Sequence, residues 1–307
     1  MRERAVAGRC SIADVLAEAA ERLQRSGVTD ARREATALWA AVAGPGVSPG
    51  DVWLGREREP DAGLAERFRV AADRRASGVP FAYAVGRASF RRLELRLDRR
   101  ALIPRPETEG LVQLVLDWTR RVPRGTWNVE RGVGGGGVAA DVGTGCGCIA
   151  LSLAVEGRFE RVIATECSPG AAALARENVE LVRPPVPVEV REGDFLAPLA
   201  GERYRAIVAN PPYVTDGEYA ALDPAVRLFE PREALASGAG GLDATRALLA
   251  GAARLLEPGG LLAIEIDARR AERMRPLARE LGWSGADIYQ DIFGRPRYVL
   301  AFAEEEA

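Results

Sequence analysis

The 307-residue chain contains no histidine, and all 42 of its basic side chains are arginine. Without histidine there is no Ser/His or Cys/His nucleophile pair, the commonest zinc ligand sets are removed, and the side chain best suited to proton transfer near neutral pH is missing. Without lysine there is no Schiff-base amine and no phosphate-loop lysine. Chemistry in this chain must come from carboxylates, backbone groups, positioning or a cofactor. Long apolar runs are missing too. The longest, Ala35 to Val47, is broken by Thr36, Gly44 and Pro45, whereas a membrane helix needs about 18 continuous apolar residues. No membrane span is expected. The opening residues MRERAVAGRC carry no apolar signal core, so the cytoplasm is the expected compartment. Four cysteines, at 10, 146, 148 and 167, fit that expectation.

What is present is ordinary for a folded chain: 47% hydrophobic and 28% charged residues. The length suits a catalytic domain of about 200 residues with a partner of about 100. Net charge is −2, with 17 Arg against 14 acids in residues 1–98 and 25 against 30 in the remainder. Neither part has the concentrated basic face of a nucleic-acid binder. Charge leaves nucleic acid open as a partner without calling for it.

The first 80 residues have helical spacing. Ser11 and Asp14 form a capping-box pattern ahead of Ile12, Val15, Leu16, Ala19 and Leu23, and Gly27 ends that run. A second helix is expected from near Asp30 to before Gly44-Pro45. A third is expected from about Asp61 to Gly78, with Leu64, Phe68 and Ala72 on one face. Between Phe81 and Ile103 the period becomes two, with Leu93, Leu95 and Leu97 alternating with Glu94 and Arg96, which predicts a strand or hairpin. The expected organisation is therefore a three-helix bundle at 1–80, a hairpin linker at 81–105 and a larger domain at 106–307.

The larger domain alternates strand and helix. Val138–Asp141, Arg161–Glu166, Val188–Glu192, Tyr204–Ala209 and Gly260–Ile266 read as strands, and Ala171–Val182 and Leu242–Leu256 as helices. This pattern predicts an α/β fold with an open, mostly parallel sheet, whose ligands bind beyond the carboxyl ends of the strands. The run Gly134–Gly137 has no phosphate-loop context and reads as linker.

Directly after the first of these strands comes Asp141-Val142-Gly143-Thr144-Gly145-Cys146-Gly147-Cys148. Its GxGxG spacing lets backbone approach a ligand closely, while Cys148 stands where a dinucleotide fingerprint would have its third glycine. Glu166, at the end of the second strand and 19 residues past Gly147, can accept hydrogen bonds from both hydroxyls of a ribose. Asp194 follows the third strand. The combination looks like the S-adenosylmethionine site of a Rossmann-like methyltransferase. Cys146 and Cys148 lack the histidine or second cysteine pair of a tetrahedral metal site and read as pocket wall.

Asn210-Pro211-Pro212-Tyr213 follows the fourth strand. The Asn210 side-chain oxygen and the Pro211 carbonyl, fixed in direction by two successive rings, are two acceptors suited to one NH₂ group. Tyr213 offers a flat face for a planar amide or base. A conjugated amino group is a poor nucleophile. Holding both its N–H bonds on acceptors aims the nitrogen lone pair at an electrophilic methyl group, and this needs no histidine.

Together with Gly78-Val79-Pro80, Tyr83, Gly86, Phe90, the run Ile103-Pro104-Arg105-Pro106-Glu107-Thr108-Glu109, Ser168-Pro169, Ala175–Asn178, Gly193-Asp194-Phe195, Glu230–Leu235 and Gly240–Asp243, these motifs closely resemble the HemK/PrmC family of protein-(glutamine) methyltransferases. The resemblance covers nearly the whole chain and implies an S-adenosylmethionine-dependent sheet joined by a hairpin to a small N-terminal helical bundle. It implies cofactor binding by Gly143, Thr144, Gly145, Cys146, Gly147, Glu166, Asp194 and Phe195, with Asn210 adjoining. It places Asn210 and Pro211 in catalysis, and Asn210–Tyr213 with Glu107 in substrate binding. The implied substrates are peptide chain release factors, with no direct nucleic-acid substrate expected, modified on the glutamine of a Gly-Gly-Gln loop by a monomeric enzyme. Other acceptors, a ribosomal-protein glutamine or adenine N6, use the same tetrapeptide, and a non-catalytic nucleotide-binding protein is the alternative from another class. Three residues depart from the family pattern: Glu166 replaces a usual Asp, Phe195 a common Trp, and Asp267 the glycine of Glu-Ile-Gly.

Overall fold

A computed structural model describes residues 10–121 and 136–305. Of the expected linker run, Gly134 and Gly135 lie outside the described residues. The chain divides into two compact units, Met1–Arg87 and Ala88–Ala307.

The first unit is helical: α1 (Ile12–Arg25), α2 (Ala31–Ala43), α3 (Pro49–Gly55), α4 (Ala62–Ala76) and α5 (Phe81–Val85). The expected capping box opens α1, where the Ser11 side chain accepts from the Asp14 backbone and Asp14 accepts in return. Two elements escape the three-helix expectation. α3 is only seven residues long, but Ser48 and Asp51 form a second capping box that starts it, and Val52 alone turns into the core. Phe81–Val85, expected within the hairpin, is a helical turn whose Phe81 and Val85 pack on the bundle core. That core is made by Leu23, Leu38, Trp39 and Phe68, with Trp39 tilted against Phe68 at 5.0 Å between ring centroids.

The second unit begins in a hairpin of β1 (Arg87–Phe90) and β2 (Leu93–Arg96), followed by α6 (Pro106–Arg121). A seven-stranded sheet then forms from β3 (Val138–Val142), β4 (Arg161–Glu166), β5 (Val188–Glu192), β6 (Tyr204–Ala209), β7 (Leu256–Glu265), β8 (Asp287–Gln290) and β9 (Pro296–Phe302), in the order β5-β4-β3-β6-β7-β9-β8. β3 to β7 pair in parallel. β9 runs antiparallel to β7, and β8 to β9. The five expected strands are all present, and β8 and β9 are additions. Pairing of α7 (Cys148–Glu156), α8 (Pro169–Val182), α11 (Asp243–Ala252) and α12 (Ala271–Glu280) with this sheet gives the α/β class. The short α9 (Asp216–Ala220) and α10 (Pro224–Phe229) lie in the long connection after β6.

The chain winds outward from β3 through β4 to β5, then returns to place β6 on the other side of β3. The order reverses between β3 and β6, and Val142 there pairs with Ala209. The carboxyl ends of these two strands flank the crevice where an open α/β sheet binds ligands. Beneath it the sheet is filled by apolar side chains such as Ile207, Leu248, Leu262 and Met274, all fully buried. Leu262→Ala in the middle of β7 is expected to cost about 2–5 kcal/mol, lost transfer energy plus a cavity. A urea midpoint unchanged from the parent protein would refute that packing.

Candidate active site

The glycine loop leaves β3 and turns through left-handed backbone at Gly143 (φ 73°) and Gly145 (φ 56°). A side-chain carbon at Gly143 would meet nothing within 4 Å, and one at Gly145 only Ala101 at 3.9 Å. The backbone therefore faces open space that a ligand can fill. Gly147 is also left-handed (φ 87°), a backbone conformation that favours glycine, and a carbon there would only make ordinary contact with Leu151 of α7 at 3.4 Å and Ala175 of α8 at 3.6 Å. Two buried side chains fix the loop from behind. Asp141 accepts from the Thr144 hydroxyl at 2.5 Å and from the Ala150 amide at 3.0 Å. Burial pushes its carboxyl up to about 7 despite these bonds. Asn178 donates to the Cys146 carbonyl at 2.9 Å and to the Arg96 carbonyl at 3.0 Å, and accepts from the Arg96 amide at 2.7 Å, tying the loop to β2.

Glu166 ends β4 with both oxygens directed by backbone. Oε2 accepts from the Gly145 amide and Oε1 from the Ser168 amide, each at 2.9 Å. Oε1 also receives the Cys167 thiol at 3.6 Å, a weak donor that a ribose hydroxyl can displace, and Oε2 keeps a second lone pair for the other hydroxyl of a vicinal diol. The open glycine backbone and this oriented carboxylate fit a nucleoside cofactor. Phe195, at the next strand end, has φ 41° and a carbonyl that accepts from the Thr165 hydroxyl at 2.9 Å. Cys146 and Cys148 are buried. Among the described residues no group of three Cys, Asp or Glu could hold a metal ion.

One pocket contains Gly143, Thr144, Gly145 and Cys146 of the loop, Glu166, Phe195, and Asn210, Pro211 and Pro212. Its lining does not include Gly147, Asp194, Tyr213 or Glu107. Asp194 is exposed. Tyr213 is half-buried beside Glu265, and burial first, then that carboxylate, pushes its hydroxyl up to about 12. The Glu107 side chain pairs with Arg295 at 3.2 Å, while its backbone carbonyl accepts from the Tyr298 hydroxyl at 2.6 Å.

Thr108 and Glu265 were absent from the sequence-derived site. The Asn210 side-chain nitrogen donates to the Thr108 hydroxyl oxygen at 3.0 Å, and that hydroxyl donates to Glu265 at 2.8 Å. The run 103–109 also joins the segment at 230–235. Glu230 accepts from Arg105 at 2.7 Å and from the Ile103 amide at 3.3 Å. Asp267 has φ −73°, a conformation open to any residue, so its replacement of glycine stores no backbone strain. It receives Arg270 at 2.5 Å, and Arg270 in turn donates to the Gly240 carbonyl at 3.2 Å and to Glu218 at 2.6 Å. These bonds brace the connection that follows Tyr213.

Residues 14–86 match the PrmC N-terminal domain and residues 133–238 the Methyltransferase small domain. The release factor glutamine methyltransferase of Moorella thermoacetica is 40% identical over 301 residues, which is 96% of this chain and all of the relative. That of Deinococcus radiodurans is 38% identical, covering 94% and 97%. The chain belongs to the release factor glutamine methyltransferase family. The fold agrees. A methyltransferase from Pyrococcus furiosus superposes with a TM-score of 0.50 at 21% identity, over 76% of this chain and all of that one. In this member of the family, Glu166→Ala removes the only carboxylate on the pocket's β4 rim. It is expected to weaken S-adenosylmethionine binding at least about tenfold, the worth of one charged hydrogen bond. Calorimetry giving an unchanged affinity would remove Glu166 from the site.

Proposed function

We propose that this protein transfers a methyl group from S-adenosylmethionine to the side-chain amide nitrogen of the glutamine in the Gly-Gly-Gln loop of peptide chain release factors. The observation that carries the reading is the placement of Asn210-Pro211-Pro212 in one pocket with Gly143–Cys146 and Glu166, at the reversal of strand order. Membership of the family supplies the substrate class.

When bound, the cofactor supplies an electrophilic methyl group. Gly143–Cys146 would receive its polar chain, Glu166 its ribose hydroxyls, and Phe195 the flank of its base, with Asp194 at the outer edge. Asn210 Oδ1 and the Pro211 carbonyl would accept the two N–H bonds of the glutamine amide. That leaves the nitrogen lone pair as the only unoccupied direction and favours pyramidalisation. Tyr213 would pack the amide plane, and Glu107 would act at the rim, through its contact with Arg295. The alkylated nitrogen is strongly acidic and loses its proton to these acceptors or to water. No ionisable base is required, in keeping with a chain that has no histidine.

Parallel incubations with labelled S-adenosylmethionine should label release factor and leave duplex DNA and ribosomal protein unlabelled. Preferential labelling of DNA would replace this reading with adenine methylation, and preferential labelling of a ribosomal protein would move the acceptor.

A further inference from the structure

An asparagine amide is nearly symmetric in shape, so something must decide whether its oxygen or its nitrogen faces the pocket. Asn210 ends β6 with its Nδ2 3.0 Å from Thr108 Oγ1, and Thr108 Oγ1 lies 2.8 Å from Glu265 Oε2. Thr108 is 2% exposed and Glu265 1%, so water does not substitute for either partner. An ionised carboxylate only accepts. Thr108 must therefore give its single proton to Glu265, and its oxygen can then only accept from Asn210. The chain of bonds has one direction, and it leaves Asn210 Oδ1 as the end turned away from Thr108.

We propose that Thr108 and Glu265 are positioning residues that hold the Asn210 amide with its oxygen toward the target amide. The proposal rests on the reading of Asn210 as the acceptor of that amide. It explains why a carboxylate is buried at the end of β7 with a hydroxyl as its hydrogen-bond partner. It also assigns a use to the Thr of the 103–109 run, whose two glutamates point elsewhere: Glu107 to Arg295, and Glu109 to the Arg91 amide at 3.1 Å.

The direction reverses if Glu265 gains a proton. A protonated Glu265 can donate to Thr108, which frees the threonine proton to point at Asn210 and draws the amide oxygen out of the pocket. Burial pushes Glu265 up to about 7, opposed by the Thr108 bond and by Arg297 and Arg105, and assisted by Glu107. The hydroxyls of Tyr213 and Tyr298 also interact with it, and burial first, then its charge, pushes both up to about 12. An acid whose folded pKa is raised is protonated below that value, so turnover should fall as the pH drops through about 7.

The test uses the full-length protein with S-adenosylmethionine and release factor. Thr108→Val, of equal size but without a hydroxyl, is expected to lower kcat about tenfold, the worth of one hydrogen bond. KM and cofactor affinity should stay within about twofold, and Thr108→Ser should recover most of the loss. Glu265→Gln, whose amide can donate at any pH, should be slow and should lose the acid limb of the rate profile. In parallel, the Asn210 side-chain NH₂ resonances, assigned by their loss in Asn210→Ala, should titrate near pH 7 in the parent protein and not in Glu265→Gln. A Thr108→Val enzyme with normal kcat, a loss confined to KM, or an acid limb that persists in Glu265→Gln would overturn the proposal. If Thr108→Val does not fold, Thr108→Ser and the Glu265→Gln profile decide. The resonance experiment needs no turnover, so failure of the relay and failure of the functional reading give different results.

Discussion

Asn210→Ala is expected to reduce methyl transfer by about a hundredfold or more while the protein stays folded. The substitution deletes one of the two acceptors that aim the target nitrogen, an interaction that matters most as charge develops on that nitrogen. The remaining contacts of the pocket are made elsewhere. Asp141 and Asn178 hold the glycine loop through Thr144, Ala150 and Cys146, and Glu166 is set by the Gly145 and Ser168 amides. Cofactor binding should therefore change little, and the loss should appear in kcat. Asn210→Asp keeps an oxygen, but an ionised carboxylate cannot donate to Thr108 and adds negative charge beside a forming cation, so partial activity with an altered pH profile is expected. Initial rates at saturating substrates, with affinity measured separately by calorimetry, check both. A folded Asn210→Ala enzyme with near-normal turnover would contradict the mechanism.

Removing residues 1–87 is expected to leave cofactor binding intact and to lower kcat/KM for intact release factor by roughly a hundredfold, the worth of two interface anchors of about 1.4 kcal/mol each. One glutamine side chain offers too little surface to select a single site in a large protein, so further contacts must come from outside the pocket. The pocket is lined wholly by residues between Arg100 and Ala234, and the helical unit has a core of its own around Leu23, Trp39 and Phe68. Its small excess of arginine over acid suits a mixed polar protein surface better than a phosphate backbone, which would impose a steep salt dependence. The cut belongs after Arg87, because Phe81 and Val85 pack with the bundle. Rates on intact release factor, compared with a short peptide carrying the same glutamine, measure the effect. Equal efficiency on intact release factor before and after removal would end the recognition role of this unit.

The reach of the sequence differed from element to element for physical reasons. Most of the parallel strands were legible because each is a short apolar run beside a glycine turn or a helical period, while the edge strand β5 alternates valine with charged residues, and the site motifs stand where such sheets bind ligands. β9 escaped because Pro296 and Arg297 open it and no helical period follows its apolar residues 299–302 to mark them as a strand. α3 escaped because seven residues with one buried side chain carry too little periodicity, although Ser48 and Asp51 spelled its cap. In the candidate site, Gly143–Cys146, Glu166, Phe195 and Asn210–Pro212 were visible as types suited to their chemistry. Thr108, which also lines the pocket, and Glu265 were not, since the bonds from Asn210 to Thr108 and from Thr108 to Glu265 span 102 and 157 positions of chain and only folding makes them. The resemblance pointed to Glu107 at the acidic start of α6, while the contact with Asn210 is made by the neighbouring Thr108.

The most direct measurement is tandem mass spectrometry of purified release factor after incubation with this protein and S-adenosylmethionine, alongside a release factor whose Gly-Gly-Gln glutamine is replaced by alanine. The account predicts one added methyl group, located on the side chain of that glutamine and absent from the substituted protein. A release factor that remains unmodified, or one methylated equally after the substitution, would contradict it.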